Sequence, residues 1–287
     1  MRFDAFIGID WSGATGNYDG IAIARCEAGS SAPKLIGPPG ARRWTRSNVA
    51  SWICAEVNRS PRLLIGLDFA FGLPFEDRHG YLGGRARAVD SIFALWKLID
   101  ESSSADADFG CTFANHPQYA SLFWKSGPKP AAWNQRKRRT EFACAEATQT
   151  HPETVYKLLG SKQVGKASIS GIRVLRHIRE RSQGAVTFWP FEKVGGSVMV
   201  EIYPTLFRKK ATGSTAKLRT AKELNVALER FGSRRVAEAQ HLSDHDTDAL
   251  ISAAGLRWIA RNPSVWSQPE LTTTRVQREG WIFGVGE

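Results

Sequence analysis

The feature that most constrains this chain is a short pattern used twice. Ile7-Gly8-Ile9-Asp10 and Ile65-Gly66-Leu67-Asp68 each end an apolar-Gly-apolar triplet on a carboxylate, and each runs on into small or glycine-containing residues. Acidic residues are depleted in strands. One such Asp alone reads as a turn cap at a strand end. Two strands of this kind side by side bring both carboxylates to one end of a sheet, where unpaired charge is expensive and a cation is the natural compensation.

The surrounding sequence supports a sheet. FDAFIGID (3–10), GIAIARC (20–26) and KLIGPPG (34–40) read as a β-meander, with GNYDG as the first turn. SNVASWICAEVN (47–58) has apolar residues at helical spacing behind Ser47, the expected N-cap, and LLIGLDFA (63–70) reads as a buried strand. ARAVDSIFALWKLID (86–100) and SISGIRVLRHIRERS (168–182) read as helices, the second with Ile172, Leu175 and Ile178 inside. AVTFWPF (185–191) and SVMVEIYP (197–204) read as a strand pair around a Gly-Gly turn, followed by helices at 216–231 and 244–260. This order predicts an α/β fold, a mixed central sheet with helices on both faces. It further predicts one domain over 1–287, with an elaborated insertion at 102–184.

Composition narrows the function classes. The 287 residues are 42% hydrophobic and 23% charged, values of a globular chain with a full core. The four Cys (26, 54, 111 and 144) show no CxxC, which argues against a zinc site or a disulfide framework and suggests a reducing compartment. Neither a signal-peptide h-region nor a run of ~18 apolar residues is present, so a cytoplasmic chain with no membrane span is expected. The net charge of +11 favours anionic partners, nucleic acid among them; the alternative is a solubility charge spread over the surface.

Two further carboxylates sit where propensity disfavours them. Glu201 interrupts SVMVEIYP; its structural alternative is a solvent-facing place on an edge strand, since Pro204 follows. Asp248 lies early in the last helix, on one face with Ile251, Ser252, Gly255 and Ile259, and the small Ser252 and Gly255 let that face approach a sheet. Asp244 is one turn earlier on the same side. Asp246 pairs with Ser243 as a capping box. His245 reads either as a helix-start residue or as a proton-transfer partner of the carboxylates. Hard oxygen donors with no Cys or His cluster point to Mg²⁺ or Mn²⁺.

FIGIDWSGA, LLIGLDFAFGLP, VMVEIYPTLF, SDHDTDALISA and the terminal WIFGV, in this order and spacing, resemble the DUF429 family, predicted RNase H-like nucleases. The resemblance spans Phe6 to Val285. It implies an RNase H-like fold, three antiparallel strands and then parallel ones, and a divalent-metal nuclease site. By position, Asp10, Asp68 and Asp248 become the core carboxylates, and Glu201, in the family's Glu-x-x-Pro segment, a fourth ligand or nearby polar group. The implied mechanism is two-metal phosphodiester hydrolysis, with ions ~3.5–4 Å apart.

A basic segment, KSGPKPAAWNQRKRRTE (125–141), offers Lys129, Arg136, Lys137, Arg138 and Arg139 beside Trp124 and Trp133. Cations that neutralise phosphates and aromatics that stack on bases make a nucleic-acid clamp; the alternative is a solvated helix start. Arg173, Arg176, Arg179 and Arg181 read as the outer face of a helix, and Lys162 and Lys166 as a weak phosphate loop. Two other functions compete. A phosphotransferase or ATPase of the actin and sugar-kinase type would cradle phosphate with Gly13, Gly16 and Gly20, although LIGLDFAFGLP lacks the expected second phosphate loop. A non-catalytic module would bind nucleic acid without turnover.

Overall fold

The computed structural model describes all residues except 1, 15–19, 61, 107, 161–162, 239–240 and 287. The first half builds β1 (Ala5–Asp10), β2 (Ala22–Glu27), β3 (Lys34–Ile36), α1 (Arg46–Arg59), β4 (Leu63–Leu67), a short hairpin of β5 (Phe75–Glu76) and β6 (Gly80–Tyr81), and α2 (Ile92–Glu101). Next come α3 (Arg139–Thr148), α4 (Gly165–Ser182), β7 (Val186–Phe188) and β8 (Ser197–Glu201). The chain ends with α5 (Pro204–Thr212), α6 (Ala221–Arg230), α7 (Asp244–Ile259) and α8 (Thr274–Glu279).

Six strands form one mixed sheet in the order β3-β2-β1-β4-β8-β7. β1, β2 and β3 are antiparallel, whereas β1, β4, β8 and β7 run parallel. The register places Gly8 beside Gly66 and Ile9 beside Leu67, so the two repeated triplets are neighbours and their aspartates lie at the same end of the sheet. β7 and β8 are parallel, where the sequence suggested a turn between paired strands; residues 189–196 carry the chain back to the same end of the sheet.

Strand side chains alternate between the faces, and two cores result. Ile7, Ile9, Ile65, Leu67 and Met199 pack under α1, α2 and α4. Phe6, Leu64, Val198 and Val200 pack under α5, α6 and α7. Each fully buried Leu or Ile contributes about 1.5–3 kcal/mol. α4 belongs to the first core through Ile169, Ile172, Leu175 and Ile178, so part of the 102–184 segment is built into the body of the fold.

Local chemistry moved several boundaries. α1 starts behind Thr45, whose side chain accepts from Asn48 N–H; Ser47 instead bonds Asp108. α2 begins only at Ile92, capped by Ser91. α6 and α7 carry capping boxes, Thr220 with Glu223 and Ser243 with Asp246. Among the described residues, no helix is long and apolar enough to cross a membrane.

Candidate carboxylate site

α7 reaches the sheet through Gly8. A Cβ there would stand 2.5 Å from the carbonyl oxygen of Ala249 and 2.6 Å from the amide nitrogen of Ala253, so only glycine lets the helix backbone sit this close to β1. Gly255 has a different partner: it receives the ring of Phe207 from α5, and it is Ser252 that faces Gly8. This contact carries the start of α7 over the strand ends.

Parity decides which carboxylates meet. Asp10 and Asp68 follow the even-numbered side chains of β1 and β4, which face α7. Asp10 is buried, and its Oδ2 lies 2.6 Å from Nδ1 of His245 in the first turn of α7. Asp68, one residue past β4, is half-buried, and among the described residues none hydrogen-bonds its carboxylate. Burial pushes its pKa well above the carboxylate range, and the charges of Asp10 and Asp248 add to the rise. Burial also raises Asp10, helped by Asp248 and opposed by the hydrogen bond with His245. Asp68 feels the charges of both Asp10 and Asp248, and Asp10 feels that of Asp248, so the three carboxylates share one neighbourhood.

Asp248, buried in α7, is neutralised from within the chain: Arg208 donates to its Oδ1 and Lys217 to its Oδ2. Arg208 is itself buried, and its Nη2 also donates to Thr205 Oγ1 at 2.7 Å. Lys217 is exposed. Sequence reasoning missed both cations. Asp244 opens α7 half-buried, and Asp246 is committed to the cap.

Glu201 lies elsewhere. It pairs with Leu67 in register, on the odd-numbered face away from α7. It is buried, and both of its oxygens are taken by Arg138, at 2.8 Å from Nη1 and 2.6 Å from Nη2, while Phe71 N–H adds a third bond at 3.0 Å. It is neither solvent-facing nor grouped with the aspartates. Arg138 is correspondingly corrected: at 1% exposure, bound to Glu141 and Glu201, it offers nothing to a nucleic acid.

The rest of the basic segment divides. Lys129 stands over the rings of Trp133 and Trp124, at 4.9 and 5.3 Å. Arg136 pairs with Glu76. Lys137 is half-buried, and Arg139 is exposed at the start of α3. A cleft of about 820 Å³ lies here, lined by Trp133, Asn134, Arg136, Arg87 and His79 among others and by none of the aspartates. Arg173 and Arg176 are bound to carboxylates of the 100–106 segment, and Arg179 to Glu192.

The glycines of the alternative phosphate loop are otherwise engaged. Gly13 receives the backbone of Lys166 and Ala167 at the start of α4, and Gly20 abuts Ser12. Arg46 holds the backbone on either side of Gly13, donating to the carbonyls of Ser12 (3.1 Å) and Ala14 (2.5 Å). Gly16 and Lys162 lie outside the described residues.

Asp10 and Asp68 suit a hard divalent cation: both are oxygen donors, burial disfavours the anion of both, and among the described residues none hydrogen-bonds the Asp68 carboxylate. Among the described residues, no three His, Cys, Asp or Glu side chains converge to hold one ion. That agrees with Asp248 being occupied by Arg208 and Lys217. The architecture is thus that of an α/β protein with aspartates gathered at the parallel strand ends. Compared with known proteins, the chain matches no family model, no curated protein and no solved structure.

Proposed function

We propose that this chain is an RNase H-like, divalent-metal-dependent nuclease that hydrolyses phosphodiester bonds, as its resemblance to the DUF429 family implies. One observation carries the reading. The strand order runs through three antiparallel strands into parallel ones, and the neighbouring ends of β1 and β4 present Asp10 and Asp68 beneath Asp248 of α7. The surplus of positive charge suits a polyanionic substrate.

Asp10 and Asp68 would hold Mg²⁺ or Mn²⁺. Such an ion supplies charge neutralisation at the phosphate and a more acidic water. The protein's own part is positional. His245 fixes the Asp10 carboxylate, and the close seat of α7 on Gly8 fixes both against Asp248. Hydrolysis consumes one water and breaks one P–O bond, with a proton leaving the water and one reaching the departing oxygen. His245, half exposed beside Asp10, is the side chain here suited to exchange protons with solvent.

The test is incubation with Mg²⁺ or Mn²⁺ and single-stranded, duplex, hybrid and junction oligonucleotides, and separately with ATP. Metal-dependent cleavage that disappears in Asp10→Asn supports the reading. ATP turnover without cleavage replaces it with the phosphotransferase alternative, and salt-sensitive binding without turnover replaces it with the non-catalytic module.

A further inference from the structure

We infer that the cleft at the ends of β2 and β3 is a nucleotide subsite: it takes the nucleoside next to the phosphate handled by the carboxylates, with Arg42 and Arg43 on that nucleoside's outer phosphate. The inference rests on the nuclease reading and adds to it the direction in which the substrate strand runs.

Position is the first argument. β1, β2 and β3 are antiparallel, so the end of β1, the start of β2 and the end of β3 lie at one end of the sheet. Asp10 ends β1 and stands directly opposite Ala22, the first residue of β2. Opposed residues of antiparallel strands are about 4.5–5.5 Å apart at Cα. Ala22 lines a cleft of about 300 Å³. Asp246 lines the same cleft and is next in the chain to His245, whose Nδ1 is 2.6 Å from Asp10 Oδ2. The cleft therefore borders the carboxylate site through both the sheet and α7.

The lining gives the second argument. Ile23 and Ile36 pair in register, and with Ile21, Leu35 and Trp44 they supply apolar surface. Trp44 Nε1 donates to the carbonyl of Ile36 at 3.1 Å, and the Trp44 ring packs edge-on against Trp52. These contacts hold the chain leaving β3 against the strand end. About 300 Å³ is at the lower end of small-ligand sites, roughly 300–1,000 Å³. That is room for one base and its sugar, not for a duplex.

Charge gives the third. Arg42 and Arg43 line the cleft and are both exposed. Asp246, the carboxylate that lines it, is engaged in the helix cap, accepting from Ser243 N–H at 2.9 Å and from Ser243 Oγ at 2.7 Å. An apolar cleft with two guanidinium groups matches a ligand that has a flat apolar body and a phosphate, whose oxygens an arginine fork binds in pairs. In a nucleic-acid strand each internal nucleoside lies between two phosphates. Here one falls to the arginines and the other to the carboxylate edge.

The experiment is an NMR titration with thymidine monophosphate in EDTA, read at the Trp44 indole N–H and the Gly37 amide, with inorganic phosphate as a separate probe. Wild type should show saturable shifts at both positions with the nucleotide. Inorganic phosphate should bind at least about fivefold more weakly, for want of the base. Gly37 lines the cleft, is exposed, and a Cβ there meets no atom within 4 Å, so Gly37→Trp crowds the cleft without disturbing the fold. It should weaken the nucleotide at least about fivefold and leave phosphate unchanged, whereas Arg42→Glu should weaken both. Phosphate binding as tight as that of the nucleotide overturns the inference, as does unaltered nucleotide affinity in both variants. Metal-dependent oligonucleotide cleavage by a wild type that shows no nucleotide shifts at Trp44 also overturns it and leaves the nuclease reading intact. Saturable shifts at Trp44 in a chain that cleaves nothing uphold the nucleotide pocket and overturn the nuclease reading.

Discussion

His245 Nδ1 and Asp10 Oδ2 are 2.6 Å apart although 235 residues separate them in the chain. The hydrogen bond joins the first turn of α7 to the end of β1, the two elements whose approach assembles the carboxylates. It raises the His245 pKa, with partial burial opposing.

The sign of that shift gives a pH prediction for the metal-free protein. A histidine held above its ordinary value of about 6.5 contributes its stability fully below that value and loses it as pH rises through the raised folded value. An NMR titration of His245 should therefore show a midpoint above that of a free imidazole in wild type. In Asp10→Asn the midpoint should fall back toward the ordinary value. An identical midpoint in both proteins contradicts the pairing.

Glu201 and Arg138 test the parity argument. Breaking a buried ion pair by removing one partner costs about 3–5 kcal/mol. Arg138→Met leaves both Glu141 and Glu201 without their cation, so urea unfolding should show a loss in that range. Glu201→Gln should destabilise the fold but leave Mn²⁺ affinity unchanged, because its side chain is on the other face of the sheet. A large loss of Mn²⁺ affinity in a folded Glu201→Gln variant contradicts this.

How much of this was legible in the sequence follows from the same residues. Asp10 and Asp68 were readable because each ends the same triplet, and matching triplets pair in register. Glu201 was not: β8 is buried on both faces, so its sequence shows no alternation from which to read a side. Arg138 sits in a run of cations that reads as solvated, and only the start of α3, with Glu141 one turn on, draws this one inward. Arg208 and Lys217 were missed because the helix carrying the first was missed. Pro204 at its first turn was an available signal. Nothing local in sequence links Lys217 to Asp248, 31 positions away.

Gly8 should tolerate no side chain. In Gly8→Ala the new methyl meets backbone atoms of Ala249 and Ala253, which cannot rotate away. Overpacking of this kind costs about 1–3 kcal/mol, and relief by lifting α7 would separate Asp248 from Asp10. Thermal unfolding and cleavage should both decline. A variant as stable and as active as wild type would show that α7 does not rest on β1.

The most direct test of the central claim is the metal-dependent cleavage rate of Asp68→Asn. The variant removes a carboxylate that burial and the charges of Asp10 and Asp248 disfavour, so it should fold and be at least as heat-stable as wild type in the absence of metal. Its cleavage rate should fall at least about 100-fold, more than the loss of a supporting outer partner brings. A folded Asp68→Asn protein that cleaves at the wild-type rate would contradict the account.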